Sequence, residues 1–214
     1  MKIAIFGSSG MARAIVDICD TMKCSDVVFI DRDNGTDPVS GISIVSEENV
    51  KSLADEGYLF SIGIGDNKIR KKISEKFFDI PFANVVHSSA SFGRGSRANL
   101  DKTSGNIIMA GAIFSGNITF SNFGLYNFNC IVGHDVCFGN FVHLGPGTII
   151  CGCVDICDEV YVWTGSMVRN GASREQRVII GENAVMGMGA VALSNVPSGL
   201  SVPPNRVFSG QSKS

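Results

Sequence analysis

A small α/β domain followed by a parallel β-helix is the fold class that the sequence predicts, and three observations predict it. A six-residue pattern repeats from Ile107 to about Val196. Turn-forming residues stand between the repeats. The first thirty residues read as strand, glycine-rich turn, helix and strand.

In the repeat, Ala112, Ile118, Gly124, Cys130, Val136, Val142, Thr148, Val154 and Val160 are spaced by six and are all small or aliphatic. Two places further on, Ile108, Phe114, Phe120, Tyr126, Val132, Phe138, Leu144, Ile150, Ile156, Val162 and Val168 are all apolar. Between hexads lie Gly133-His134-Asp135, Gly139-Asn140, Gly145-Pro146-Gly147 and Gly152. Short strands joined by tight turns, three to a coil, satisfy this spacing: apolar side chains fill a narrow prism and small neighbours let the backbone bend at each corner. The pattern breaks at Ala172-Ser173-Arg174-Glu175-Gln176-Arg177, with Arg174 at a position that should be apolar, and resumes in phase at Val178, Ala184 and Ala190. The expected form is a loop of one hexad thrown out from one corner. The segment from Val196 to Phe208 is expected to leave the helix through its prolines, and the last six residues to be disordered.

Ahead of the repeat, Lys2 to Phe6 form an apolar run that ends in Gly7-Ser8-Ser9-Gly10, and Met11 to Asp20 has helical spacing. Val27 to Ile30 ends in Asp31-Arg32-Asp33, which completes a βαβ unit. Such a turn presents N–H groups to phosphate, and an acid after the second strand suits ribose or base. Gly7-x-x-Gly10 lacks the full dinucleotide fingerprint, so a mononucleotide or nucleotide-sugar fits better; the other reading is a tight βα turn and nothing more. A strand from Tyr58 to Ile64 follows, then a charged helix from Lys68 to Ile73 and an apolar run from Phe82 to Val86. His87 marks a hinge, dividing the chain into 1–87 and 88–214.

The 214 residues carry a formal charge of −2 without long basic runs, which argues against nucleic acid as the main partner. The apolar run after Lys2 is too short for a signal peptide and no stretch is long enough to span a membrane, so a soluble cytoplasmic protein is expected. Seven cysteines, five of them inside the repeat, read as free packing thiols. Cys151, Cys153 and Cys157 occupy different hexad positions, so no metal is expected there.

Two of the three histidines, His134 and His143, lie close together in the repeat. His134 occupies a corner beside Asp135, an arrangement that suits a general base whose tautomer a carboxylate fixes; the bland reading is a surface corner histidine. Gly152, eighteen residues on, stacks above it and leaves a groove, while Asn127, seven residues before, is placed near the same edge of the preceding coil. A base beside a groove in a β-helix fits acyl transfer from a pantetheine thioester.

With Gly7-Ser8-Ser9-Gly10, Phe29-Ile30-Asp31, Gly65-Asp66-Asn67, Ile69-Arg70-Lys71-Lys72-Ile73, Gly133-His134-Asp135 and Phe141-Val142-His143, the whole chain resembles the bacterial two-domain hexapeptide-repeat acyltransferases that acetylate amino-sugars on nucleotide carriers. The resemblance implies a Rossmann-like nucleotide-sugar-binding domain and a left-handed β-helix. It also implies acetyl-CoA as co-substrate, no metal, a homotrimer, and a 4-amino-4,6-dideoxy sugar on UDP or dTDP, destined for bacterial surface glycans or glycoproteins. His134 would be the base and Asp135 its partner. His143, Gly152, Thr164, Gly187 and Met188 would contact acetyl-CoA, and Met11, Ala12, Arg13, Asp31, Arg32, Gly65 and Asn127 would serve the substrate. Met11 stands where the family carries His, Arg32 where it carries a second acid, and Pro203-Pro204-Asn205 replaces the common tail motif. Rival readings are a sialic acid O-acetyltransferase, a β-helical carbonic anhydrase, which would need three zinc histidines, and a non-catalytic nucleotide-sugar-binding scaffold.

Overall fold

The computed structural model describes residues 1–210. Of the six C-terminal residues expected to be disordered, 211–214 lie outside the described residues.

The N-terminal unit runs β1 (Lys2–Phe6), α1 (Gly10–Thr21), β2 (Asp26–Asp31), β3 (Gly35–Thr36), β4 (Ser43–Ser46), α2 (Val50–Asp55), β5 (Tyr58–Ile62) and α3 (Asn67–Lys76). Its sheet order is β3-β4-β2-β1-β5, parallel except for the β3–β4 pair. Burial on both faces explains why β1 is continuously apolar instead of alternating. The Asp66 carboxylate caps α3 by accepting from the Ile69 N–H at 2.9 Å.

From Val85 the chain winds into a left-handed prism with three faces. The first face stacks Val85–Val86, Ile107–Ile108, Leu125–Tyr126, His143–Leu144, Tyr161–Val162, Val185–Met186 and Ser201–Val202. The second stacks Ser91–Phe92, Ile113–Phe114, Ile131–Val132, Ile149–Ile150, Met167–Val168, Val191–Ala192 and Val207–Phe208. The third holds Cys137–Phe138, Val154–Ile156 and Val178–Ile180. Both repeat positions face inward: Val136, Val142, Thr148 and Val160 are fully buried, as are Tyr126, Leu144 and Ile150. A left-handed backbone residue precedes the small position at regular intervals, including Asn117, Asn129, Asp135, Cys153 and Glu159. Asn and Asp tolerate this conformation better than most residues, which is why they accumulate at the corners. A short helix, α4 (Ser96–Leu100), buries Leu100 in the core at the N-terminal end of the prism.

Val85–Val86 already pair with Ile107–Ile108, while Phe82 bridges to Phe60 of the first sheet, so the first rung of the prism begins ahead of His87. The excursion is one hexad: Val154 pairs with Val178, and 169–177 form an enlarged corner between the second and third faces. The tail corrects the sequence reading. Instead of leaving through its prolines it adds another rung, Ser201–Val202 on Val185–Met186 and Val207–Phe208 on Val191–Ala192. Pro203-Pro204-Asn205 forms the corner between them, with Asn205 left-handed at φ 54°.

The N-terminal unit docks on the first face. Ile15 and Ile18 of α1 share a core with the outward-facing Val85, Ile107 and Leu125. No helix among the described residues is long and apolar enough to cross a membrane.

Candidate active site

His134 stands at the corner between the second and third faces with its side chain 65% exposed. Its Nδ1 lies 2.8 Å from Asp135 Oδ2. A carboxylate accepts, so Nδ1 carries the proton and Nε2 keeps its lone pair. That nitrogen faces Gly152, one coil above: a Cβ built there would sit 2.6 Å from Nε2. Glycine at 152 is what leaves that nitrogen free.

Asp135 is gripped from several sides. Its Oδ1 accepts from Asn117 Nδ2 at 2.6 Å and pairs with the Arg174 guanidinium at 2.8 Å. The hydrogen bond from Asn117, then those from His134 and Arg174, hold its carboxyl well below the usual carboxylate range. The ligating atoms of His134, Asp135 and Cys153 fall within 4.8 Å of one another. Both Asp135 oxygens are engaged, so the cluster reads as an oriented His–Asp pair. Arg94, Gly95, Gly116, Asn117 and Arg174 complete an open depression of about 460 Å³ around it. The sequence reading passed over Asn117 and Arg174; cations inside the hexad that breaks the repeat were the available signal for Arg174.

A second cavity, about 390 Å³, lies at the end of the N-terminal sheet between Gly7-Ser8-Ser9, Ile30-Asp31-Arg32, Glu47, Ile64, Ile69 and Ile73. Asp31 Oδ2 accepts from Ser8 Oγ at 2.6 Å, and Asp31 Oδ1 from the Arg32 N–H at 2.9 Å. Arg32 is exposed at the rim. Arg13 is committed to the buried Asp37 at 2.9 Å, a partner the sequence did not suggest. Ala12 is fully buried, backbone included, against Gly63, and Met11 packs against the core beneath α1.

The other expected site residues lie elsewhere. His143 faces outward on the first face but is covered by the N-terminal unit, 3% exposed, with Nδ1 donating to the Gly65 carbonyl at 2.9 Å. Burial first, and the nearby Arg70 cation second, push its pKa down to about 3. Its Nε2 is buried without a hydrogen-bond partner among the described residues, and its ring stacks on Tyr161 at 4.2 Å. Asn127, Thr164, Gly187 and Met188 occupy the corner between the first and second faces, a third of a turn from His134. Asn127 is there because seven residues are one hexad plus one: it pairs in register below Gly145, whereas His134 lies below Gly152.

Comparison with known proteins places this geometry. Residues 2–77 match the PglD N-terminal domain. The chain is 28% identical over 215 residues to a GDP-perosamine N-acetyltransferase of Escherichia coli O157:H7, covering 94% of this chain and 92% of that protein. PerB of Caulobacter crescentus, solved with CoA and GDP-perosamine, superposes with a TM-score of 0.81 at 22% identity, over 94% of this chain and 93% of that one. The acetyltransferase domain of PglB from Neisseria gonorrhoeae, solved with acetyl coenzyme A, gives 0.83 at 24% identity, over 96% and 97%. At these identities the structural matches speak for the fold, the left-handed β-helix with its N-terminal α/β unit. Residues 2–77 thus match a PglD-type N-terminal domain, and the chain as a whole is similar from end to end to a GDP-perosamine N-acetyltransferase.

Proposed function

We propose that the protein transfers an acetyl group from acetyl-CoA to the amino group of a nucleotide-linked 4-amino-4,6-dideoxy sugar, with His134 as general base. The observation that carries this reading is the Asp135-oriented imidazole whose Nε2 faces the Gly152 gap. The neutral sugar amine attacks the thioester carbonyl, His134 Nε2 accepts the proton the nitrogen loses, and the coenzyme leaves as thiolate. The backbone N–H of Gly152 is the proposed donor to the oxyanion. The cavity between Ser8, Asp31 and Arg32 takes the nucleotide, with phosphate at the N-terminus of α1. GDP stands first among nucleotides because the names of two relatives carry it, with UDP and dTDP as the alternatives.

Within one chain the two cavities share no lining residue: one lies in the N-terminal unit docked on the first face, the other at the corner farthest from that face. The second face between them exposes Ile113, Ile131, Ile149 and Met167, each 37 to 45% accessible, in one ladder. Three copies packing these faces around a threefold axis would cover the ladder. They would also set His134 of one copy beside Thr164, Gly187 and Met188 of the next, which then line the pantetheine path. In this arrangement His143 and Arg70 hold the Gly65 loop.

Thiol release from acetyl-CoA, measured with GDP-, UDP- and dTDP-linked 4-amino sugars and free sialic acid, tests the reading. Turnover on one nucleotide amino-sugar is expected, reduced about a hundredfold or more in His134→Ala. Activity on sialic acid alone, or unchanged turnover in the variant, would overturn it.

A further inference from the structure

The hexad that interrupts the repeat has a second feature beyond its length. Both of its arginines converge on Asp135, two coils below. Arg174 pairs with Asp135 Oδ1 at 2.8 Å. Arg177 donates through Nη2 to the Asp135 backbone carbonyl at 2.7 Å and to the Val154 carbonyl at 3.0 Å, while its Nε pairs with Asp155 at 2.7 Å. The loop that carries them is internally tied: Ala172 N–H donates to the Gln176 carbonyl at 2.8 Å, and Ser173 Oγ accepts from the Glu175 and Gln176 N–H groups at 3.1 and 3.2 Å. Its base is joined to the coil below, with Gly171 N–H on the Gly152 carbonyl at 3.0 Å.

We infer that the inserted hexad, Ala172 to Arg177, is a positioning element for the His134–Asp135 pair, with Arg174 setting the carboxylate and Arg177 the backbone beneath it. The inference rests on the reading of His134 as the base. Asp135 is in the left-handed conformation at φ 56°, next to a chain of short strands that offers few side chains at this corner. Without Arg174 its Oδ1 would be held by Asn117 alone, and the carboxylate could swing its charge away from Nδ1. An ion pair with an arm as exposed as Arg174's is screened by solvent and adds little to stability, so its worth lies in orientation and local charge.

The charged and titratable groups facing His134 are Asp135 on its own corner, Arg174 from the loop and Arg94 from two coils below, with Cys153 from the coil above; Arg177 and Asp155 neutralise each other behind. Removing Arg174 takes away a cation that opposes imidazolium and leaves Asp135 less neutralised. Both effects favour the protonated ring, so the base would be neutral only at higher pH.

The test uses Arg174→Gln, Arg174→Lys and deletion of residues 172–177, which returns the corner to an eighteen-residue coil and keeps Val178 in phase on Val154. In Arg174→Gln, kcat is expected to fall about tenfold, with both KM values within about twofold and the acid limb of the pH profile moved to higher pH. Arg174→Lys should recover most of the rate, and the deletion should still unfold cooperatively while losing about a hundredfold in kcat. In parallel, the His134 imidazole is titrated by NMR, its resonance assigned by its loss in His134→Ala. A midpoint raised in Arg174→Gln is the expected result. An unchanged midpoint, or a raised KM for the sugar with kcat intact, overturns the positioning role while leaving the base in place. If no acetyl transfer is found with any sugar, the proposed function fails, and the NMR midpoint still decides the loop's role.

Discussion

His143 shows how a residue's chemistry is set by what covers it. A histidine on the outer face of a β-helix rung would ordinarily be solvated, but here the Gly63-Ile64-Gly65 loop closes over it and its Nδ1 is spent on the Gly65 carbonyl. Because its folded pKa of about 3 lies below the unfolded value near 6.5, the unfolded chain binds the extra proton as pH falls. Stability should therefore decline below about pH 6.5 by up to about 1.4 kcal/mol per unit from this residue alone. Urea unfolding of wild type and His143→Gln between pH 7 and 4.5 checks this: the variant is expected to show the shallower slope, and parallel slopes would contradict it. At the proposed base, Gly152→Ala should leave the fold intact and lower kcat by about tenfold or more, because its Cβ would occupy the space in front of Nε2. The His134–Asp135 contact was legible in the sequence because Gly-His-Asp at a hexad corner places the two side chains together through local geometry. The burial of His143 was not, since it depends on a surface 78 residues away in the chain.

At the scale of elements, the joint between the two units is organised by one side chain. Arg70 of α3 is 1% exposed and donates to the carbonyls of Ile64, Gly65, Phe123, Phe141 and Val142 and to Asn67 Oδ1, with no carboxylate among them. Burial pushes its pKa down to about 10, still far above neutrality. Asn67 adds its own amide to the Glu159 and Val160 carbonyls, and Lys71 pairs with Glu159 at 2.5 Å. The cationic run from Lys68 to Lys72 reads in sequence as a solvated face; only the structure separates Arg70, turned inward to a ring of carbonyls, from its exposed neighbours. Arg70→Met should destabilise the protein by about 3 kcal/mol or more, since several buried carbonyls lose their donor together. Equilibrium unfolding measures the loss, and a cost under about 1 kcal/mol would mean that water replaces the guanidinium.

Across the whole molecule, the hexad period made the β-helix readable because every coil repeats the same packing problem and the same left-handed corner. The last rung escaped because Pro203 and Pro204 look like chain breakers, yet at a corner they cost no strand hydrogen bond. The assembly follows from faces and not from motifs. Ile131→Glu, at the middle of the exposed ladder, is expected to shift the protein to monomer in sedimentation velocity and to abolish transfer, because the proposed trimer shares each site between copies. Mixed oligomers of His134→Ala and Asp31→Lys subunits should regain about a quarter of wild-type activity by random pairing, where either variant alone has almost none.

The most direct test of the central claim is the chemical identity of the product. Acetyl-CoA and a GDP-linked 4-amino-4,6-dideoxy sugar are incubated with wild type and with His134→Asn, and the sugar product is examined by mass spectrometry and NMR before and after hydroxylamine. A hydroxylamine-stable amide at the 4-nitrogen is expected in wild type and almost none in the variant. A labile ester, or equal amide formation without His134, would contradict it.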